Sequence, residues 1–140
     1  MLKNAVLVML VAVFTIVIPP SSNLMFDGID GRYIFYTKTS VSSDFITVDS
    51  DNAKSVKKSL DYICGESVVF EFDQNIVNAC LKRYSAKKLF TEQGDTFNTT
   101  YYYSSKIPFY ELIGGVKVNI QVAYSGTLCQ IGSPIIYGGF

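Results

Sequence analysis

The sequence predicts an α+β fold: a two-layer sandwich whose twisted, mainly antiparallel sheet carries two helices on one face. Three observations predict it. Before Lys87, two segments with apolar residues at helical spacing alternate with segments rich in β-formers. From Lys87 onward every segment reads as strand or tight turn, and tight turns join antiparallel neighbours because parallel strands need a long crossover. Residues 116–124 alternate Val116, Val118, Ile120, Val122 and Tyr124 against Lys117, Asn119, Gln121 and Ala123. One polar side on that strand implies a sheet covered on one face only.

The chain opens with a short basic stretch containing Lys3, followed by an apolar run over residues 5–18 with one Thr and no charge. Pro19, Pro20, Ser21, Ser22 and Asn23 then break any helix. This is the pattern of an export signal. The run is short for a permanent span, which needs about 20 apolar residues. No A-x-A site follows it, so residues 1–22 read either as a cleaved signal peptide or as a retained signal anchor. Residues 23–30 read as a linker with Gly28 marking a turn, and residues 31–140 as a single domain.

Within that domain, residues 32–37 are dense in β-formers and read as the first strand. Residues 40–43 interrupt it, and residues 45–48 extend the same sheet. Ser50, Asp51 and Asn52 offer caps for a helix carrying Ala53, Val56, Leu60 and Ile63 on one side and Lys54, Lys57 and Lys58 on the other, with Gly65 as its stop. Residues 66–72 alternate as a strand. Asp73 caps a second helix on which Ile76, Val77, Cys80, Leu81 and Tyr84 form an apolar stripe ending near Ala86. Turns are expected at Gly94, at Gly114-Gly115 and at Gly126. Gln121, on the polar side of its strand, is expected in solvent, where Gln121→Ala costs less than about 0.5 kcal/mol.

Composition excludes several chemistries. The chain has 12 basic and 12 acidic residues, so no cationic surplus supports nucleic-acid binding. Lys57-Lys58 and Lys87-Lys88 read as solvated faces. The chain has no His, which removes the commonest general base and the commonest transition-metal ligand. Cys64, Cys80 and Cys129 are too widely spaced for a zinc site and read as buried small hydrophobes, with one disulfide as the alternative. Neither a metal nor a cofactor is expected. The carboxylate pairs Glu66/Glu71 and Glu92/Asp95 flank a strand and a turn, and no pattern places them in a cleft.

Tyrosine is the strongest binding signal. The chain has 10 Tyr, and three stand in a row at 101–103. Tyr supplies contact area and a hydroxyl at low entropic cost. Tyr102, Tyr110 and Tyr137 are the candidate binding residues, against the reading that alternate tyrosines fill the core.

Residues 118–123, a hairpin, and then residues 131–136 resemble the closing segment of the YwmB-like exported proteins of spore-forming Gram-positive bacteria. Those proteins are linked with a TATA-box-binding-like α+β fold. The resemblance implies a small exported domain, carries over no catalytic residue and implies no DNA binding. The expected function is an extracytoplasmic, non-catalytic binding or structural module at the bacterial cell surface. Its expected partner is a protein or cell-wall component, with a membrane tether through residues 1–22. The alternative is an extracytoplasmic enzyme using Cys or carboxylates.

Overall fold

The computed structural model describes residues 23–37 and 44–137; residues 1–22, read above as a signal peptide or signal anchor, the interruption at residues 40–43 and Gly138-Gly139 lie outside them. The strands are β1 (Arg32–Tyr36), β2 (Phe45–Asp49), β3 (Gly65–Glu71), β4 (Lys87–Gln93), β5 (Asn98–Tyr103), β6 (Glu111–Ile113), β7 (Val116–Val118), β8 (Ile120–Ser125) and β9 (Leu128–Ser133). The helices are α1 (Ser50–Ser59) and α2 (Gln74–Arg83). An antiparallel seven-stranded sheet runs β2-β1-β3-β9-β8-β5-β4, and β6 and β7 form a separate hairpin. The fold is α+β, as the periodicities predict.

Both helices pack on one face. Ala53 of α1 and Val77 and Cys80 of α2 share a core with Tyr33, Phe35, Val68, Phe70, Ile120, Val122, Cys129 and Ile131, one row from each central strand. The period of two places these side chains together, since the register pairs Tyr33 with Val68, Val68 with Ile131 and Ile131 with Val122. Asp73 caps α2 by accepting from the Asn75 amide at 2.9 Å. The α1 helix ends at Ser59, before the expected stop at Gly65, because Leu60 is already extended. Gly114 and Gly115 both adopt positive φ, as the two-residue β6–β7 turn requires.

Three expectations need correction. Residues 23–30 are not a loose linker: Leu24, Phe26 and Ile29 are buried in the core. Their apolar side chains are worth more inside than in water. Residues 116–124 are not one strand. Asn119 divides β7 from β8, and its buried side chain accepts from the Ser104 amide and donates to the Ser104 and Ile107 carbonyls. Gln121 is not in solvent, being only 8% exposed. The chain after β9 turns back over the second face of the sheet, and the Ile136 amide donates to Gln121 Oε1 at 2.9 Å. A Cβ on Gly132 or Gly65 would lie 2.7 Å from Ile136 Cγ1 or 2.8 Å from a ring carbon of Tyr137, so only glycine admits the returning segment this closely.

Candidate functional site

Two regions concentrate polar and aromatic chemistry. The first lies under the helices. Glu66 is the second residue of β3, and the same parity that turns Val68 and Phe70 to the core turns its carboxylate inward. Lys57, on the inner side of α1, meets it at 2.7 Å. Lys57 is 4% exposed, which corrects its reading as part of a solvated face. Helical spacing assigned Lys57, with Lys54 and Lys58, to the side away from the apolar residues; its long stem instead reaches a carboxylate under the helix, and an inward charge of this kind persists only when paired.

This pair ties down the segment that precedes β1. Lys57 Nζ donates to the Asn23 carbonyl at 2.6 Å, and the Met25 amide donates to Glu66 Oε2 at 2.8 Å. Tyr84 Oη donates to the Met25 carbonyl at 2.5 Å. Tyr33 Oη lies 2.6 Å from the Phe26 carbonyl and 2.8 Å from that of Ile29. Residues 23–30 thus run between α1 and α2 as a third strip of the helical layer. A cleft of about 340 Å³ flanks the strip on the α1 side, lined in part by Asp27, Asp30, Asp51 and Lys54. A smaller one of about 200 Å³ flanks it on the α2 side. Burial pushes the Glu66 carboxyl above the usual carboxylate range, and Lys57 pulls it back. Burial and nearby Glu66 raise the Tyr33 hydroxyl to about 12.

The second region is at the Gly65 end of the sheet, on the face away from the helices. Tyr137 stacks edge-on against Tyr36 with ring centroids 5.2 Å apart, and its hydroxyl donates to Glu111 Oε1 at 2.8 Å. Burial and the Glu111 charge raise that hydroxyl strongly. Tyr110 adjoins Glu111, and Lys117 Nζ lies 4.8 Å from its ring centre. Leu112, paired with Lys117 across the hairpin, is 52% exposed, and Val116 is exposed at the turn. Tyr137 is therefore tied to the β6–β7 hairpin through Glu111, the residue after Tyr110, while the ring of Tyr110 meets Lys117.

Tyr102 does not join them. It pairs with Ile120 and is half-buried against the helix-covered core, so its reading as an outward binding residue is corrected by register. Its neighbour Tyr101 points to the other face and stacks on Phe90 at 4.6 Å.

The cysteines are all buried, and among the described residues no disulfide links them. Burial raises the Cys64 and Cys80 thiols to about 11 and Cys129 to about 12. Each therefore stays protonated near neutral pH, the form that is a poor nucleophile. Cys64 Sγ also contacts the Tyr36 carbonyl at 3.3 Å. Among the described residues no group of His, Cys, Asp and Glu is arranged to hold a metal ion, and no helix is long and apolar enough to cross a membrane.

The residues that sequence reasoning missed are Lys57 and Glu66. The available signal was that Lys57 stands four residues after Ala53 and three before Leu60, both of which helical spacing puts on the apolar side. Set against family models, curated proteins and solved structures, the chain matches none.

Proposed function

We propose that the chain is an exported, non-catalytic small module that binds a protein or cell-wall component at the bacterial cell surface through the Tyr110–Tyr137 end of its sheet. The observation that supports this reading is where the reactive groups go. The three thiols and the Glu66 carboxyl are sealed in the core, and Lys57 is spent on Glu66 and the Asn23 carbonyl. Leu112 and Val116 remain exposed at one end, on a hairpin fixed to the body through Glu111 and Tyr137, with a half-buried Tyr110 just before it. Aromatic and apolar groups on a rigid support are the chemistry of recognition rather than of bond making. The export pattern of residues 1–22 and the resemblance to YwmB-like exported proteins point to the same compartment.

Two measurements test it. A fusion of residues 1–30 to a reporter active only outside the cytoplasm gives activity; strictly cytosolic signal overturns the location. The folded chain at neutral pH resists a thiol-specific reagent, while the denatured, non-reduced chain yields all three thiols. One thiol modified rapidly in the folded chain overturns the non-catalytic reading and favours a Cys-dependent enzyme.

A further inference from the structure

The formal net charge is zero, yet the fold sorts its charges along the strand direction. The sheet register defines the two ends. Gln93, Asn98, Tyr124 and Leu128 lie near one end, and Lys88, Tyr102, Ile120 and Ser133 near the other. At the first end stand Asp49, Asp51, Glu71, Asp73, Glu92 and Asp95, on strand ends, helix starts and the β4–β5 turn, together with Arg32, which pairs with Asp49 across β1 and β2. At the second end stand Lys82 and Arg83 in the last turn of α2, Lys87 and Lys88 at the start of β4, and Lys106 in the loop after β5. All five cations are exposed.

They form one corner of the molecule. Lys106 Nζ reaches the Arg83 carbonyl at 3.5 Å, and Ser104 Oγ donates to the Tyr84 carbonyl. Lys87 and Lys88 pair with Tyr103 and Tyr102, immediately before that loop. Of the acids near this corner, Asp27 accepts from Arg83 Nη1 through its backbone carbonyl at 3.5 Å but has its carboxylate paired with Lys54 at 3.2 Å; Asp44 precedes β2 at the opposite edge of the sheet, Asp61 follows α1, and Glu111 is held by Tyr137 on the other face. Cations in the last turn of a helix offset its carbonyl dipole, which accounts for Lys82 and Arg83. It does not account for Lys87, Lys88 and Lys106, which are on no helix.

The start of the described chain lies at this same end. Asn23 is fixed by Lys57 and Met25 by Glu66 and Tyr84, all at the Gly65 end of the sheet. Only residues 19–22 separate Asn23 from the apolar run, and four residues reach at most about 14 Å. Whatever holds that run is therefore held close to the cationic corner.

We propose that the corner formed by Lys82, Arg83, Lys87, Lys88 and Lys106 docks on an anionic lipid surface. This rests on the reading of residues 1–22 as a retained membrane-directed segment. Basic residues beside a membrane anchor gain from the negative surface potential of acidic lipids, and the short tether keeps their effective concentration at the surface high.

The test is flotation of the full chain, from limiting lipid, with vesicles of phosphatidylcholine alone or mixed with phosphatidylglycerol. The chain floats with both, and the acidic mixture retains at least about tenfold more, an excess that high salt removes. The combined variant Lys82→Gln, Arg83→Gln, Lys87→Gln, Lys88→Gln loses the excess, floats on neutral vesicles as before and keeps its urea midpoint. Equal flotation on both compositions, or an excess that survives in the variant, overturns the cationic corner alone. Flotation on neither composition strikes the membrane reading of residues 1–22. Equally tight binding of inorganic polyphosphate overturns the lipid surface in favour of a general polyanion site.

Discussion

Under the helices, the ion pair of Lys57 and Glu66 is closed off from water, while on the far side of the sheet Leu112 and Val116 stand at the surface on a short hairpin beside a half-buried Tyr110. The two regions use polar groups in opposite ways. In the first, each charge is committed to the backbone of residues 23–25, so the pair fixes the path by which the chain enters the body. In the second, one tyrosine hydroxyl is spent on Glu111 to hold the support, and the neighbouring ring and aliphatic groups are left over. The contrast separates the polar chemistry that specifies the fold from the surface offered to a partner.

The sharpest way to break that contrast is Lys57→Met. It leaves Glu66 buried beside an apolar side chain, and removing one member of a buried pair costs about 3–5 kcal/mol. The pH dependence has a defined sign. Burial raises Glu66 in the folded state, so the unfolded chain releases that proton first. The contribution of Glu66 to stability is therefore greatest below the ordinary carboxylate range and is lost as pH rises through its raised folded value. Without Lys57 the rise is unopposed, so the variant loses more stability than the parent between acidic and neutral pH. Urea midpoints at both pH values check this. A small, pH-independent loss would mean that the pair is open to solvent. Adding Glu66→Gln should recover part of the loss, because the orphaned charge is then gone.

Ile120→Ala and Gln121→Ala sharpen the comparison within one strand. Ile120 faces the helices, and its truncation costs roughly 2–5 kcal/mol in lost burial and residual cavity. Gln121 faces the other way, yet it bonds the Ile136 amide and, at 3.0 Å, Thr99 Oγ1. Losing it leaves a buried amide without its acceptor, which costs about 1–3 kcal/mol. The ordering Ile120→Ala worse than Gln121→Ala, with both clearly destabilising at unchanged urea slope, is the expected result. A neutral Gln121→Ala would mean that the returning segment is not seated on the sheet.

These two neighbours also show what is legible in a sequence. The inward row of β8 was readable because alternation is local and apolar side chains have one good place to go. The helices were readable for the same reason, together with the Asp73 cap. The outward row was misread because its partner, Ile136, comes from 15 residues farther on and folds back over the sheet. A buried Gln and an exposed Gln have the same local pattern. Lys57 and Glu66 were missed on similar grounds: each charge looks solvated until the other is placed opposite it, and that placement depends on α1 packing over the sheet face that carries Glu66. Of the three tyrosines proposed for binding, Tyr137 is tied to Glu111, the neighbour of Tyr110 in sequence, while Tyr102 was lost to a one-residue question of register.

The smallest expected effect on stability belongs to Tyr110→Ala, and its smallness is what makes it informative. The ring is half-buried beside an exposed turn, and its specific partner is Lys117 Nζ at 4.8 Å, a cation–π contact worth about 0.5–1 kcal/mol at exposed sites. The contact links residues within one hairpin that is already closed by the Gly114-Gly115 turn and held by Glu111. Tyr110→Ala should therefore lower stability by no more than about 1 kcal/mol, well below the loss from Lys57→Met. Lys117→Ala should cost about the same, and the double variant little more than either alone, because both remove one interaction. A loss of several kcal/mol from Tyr110→Ala would show that the ring is part of the packing, and the hairpin could then no longer be set apart as a surface whose aromatic and apolar groups are free to serve a partner.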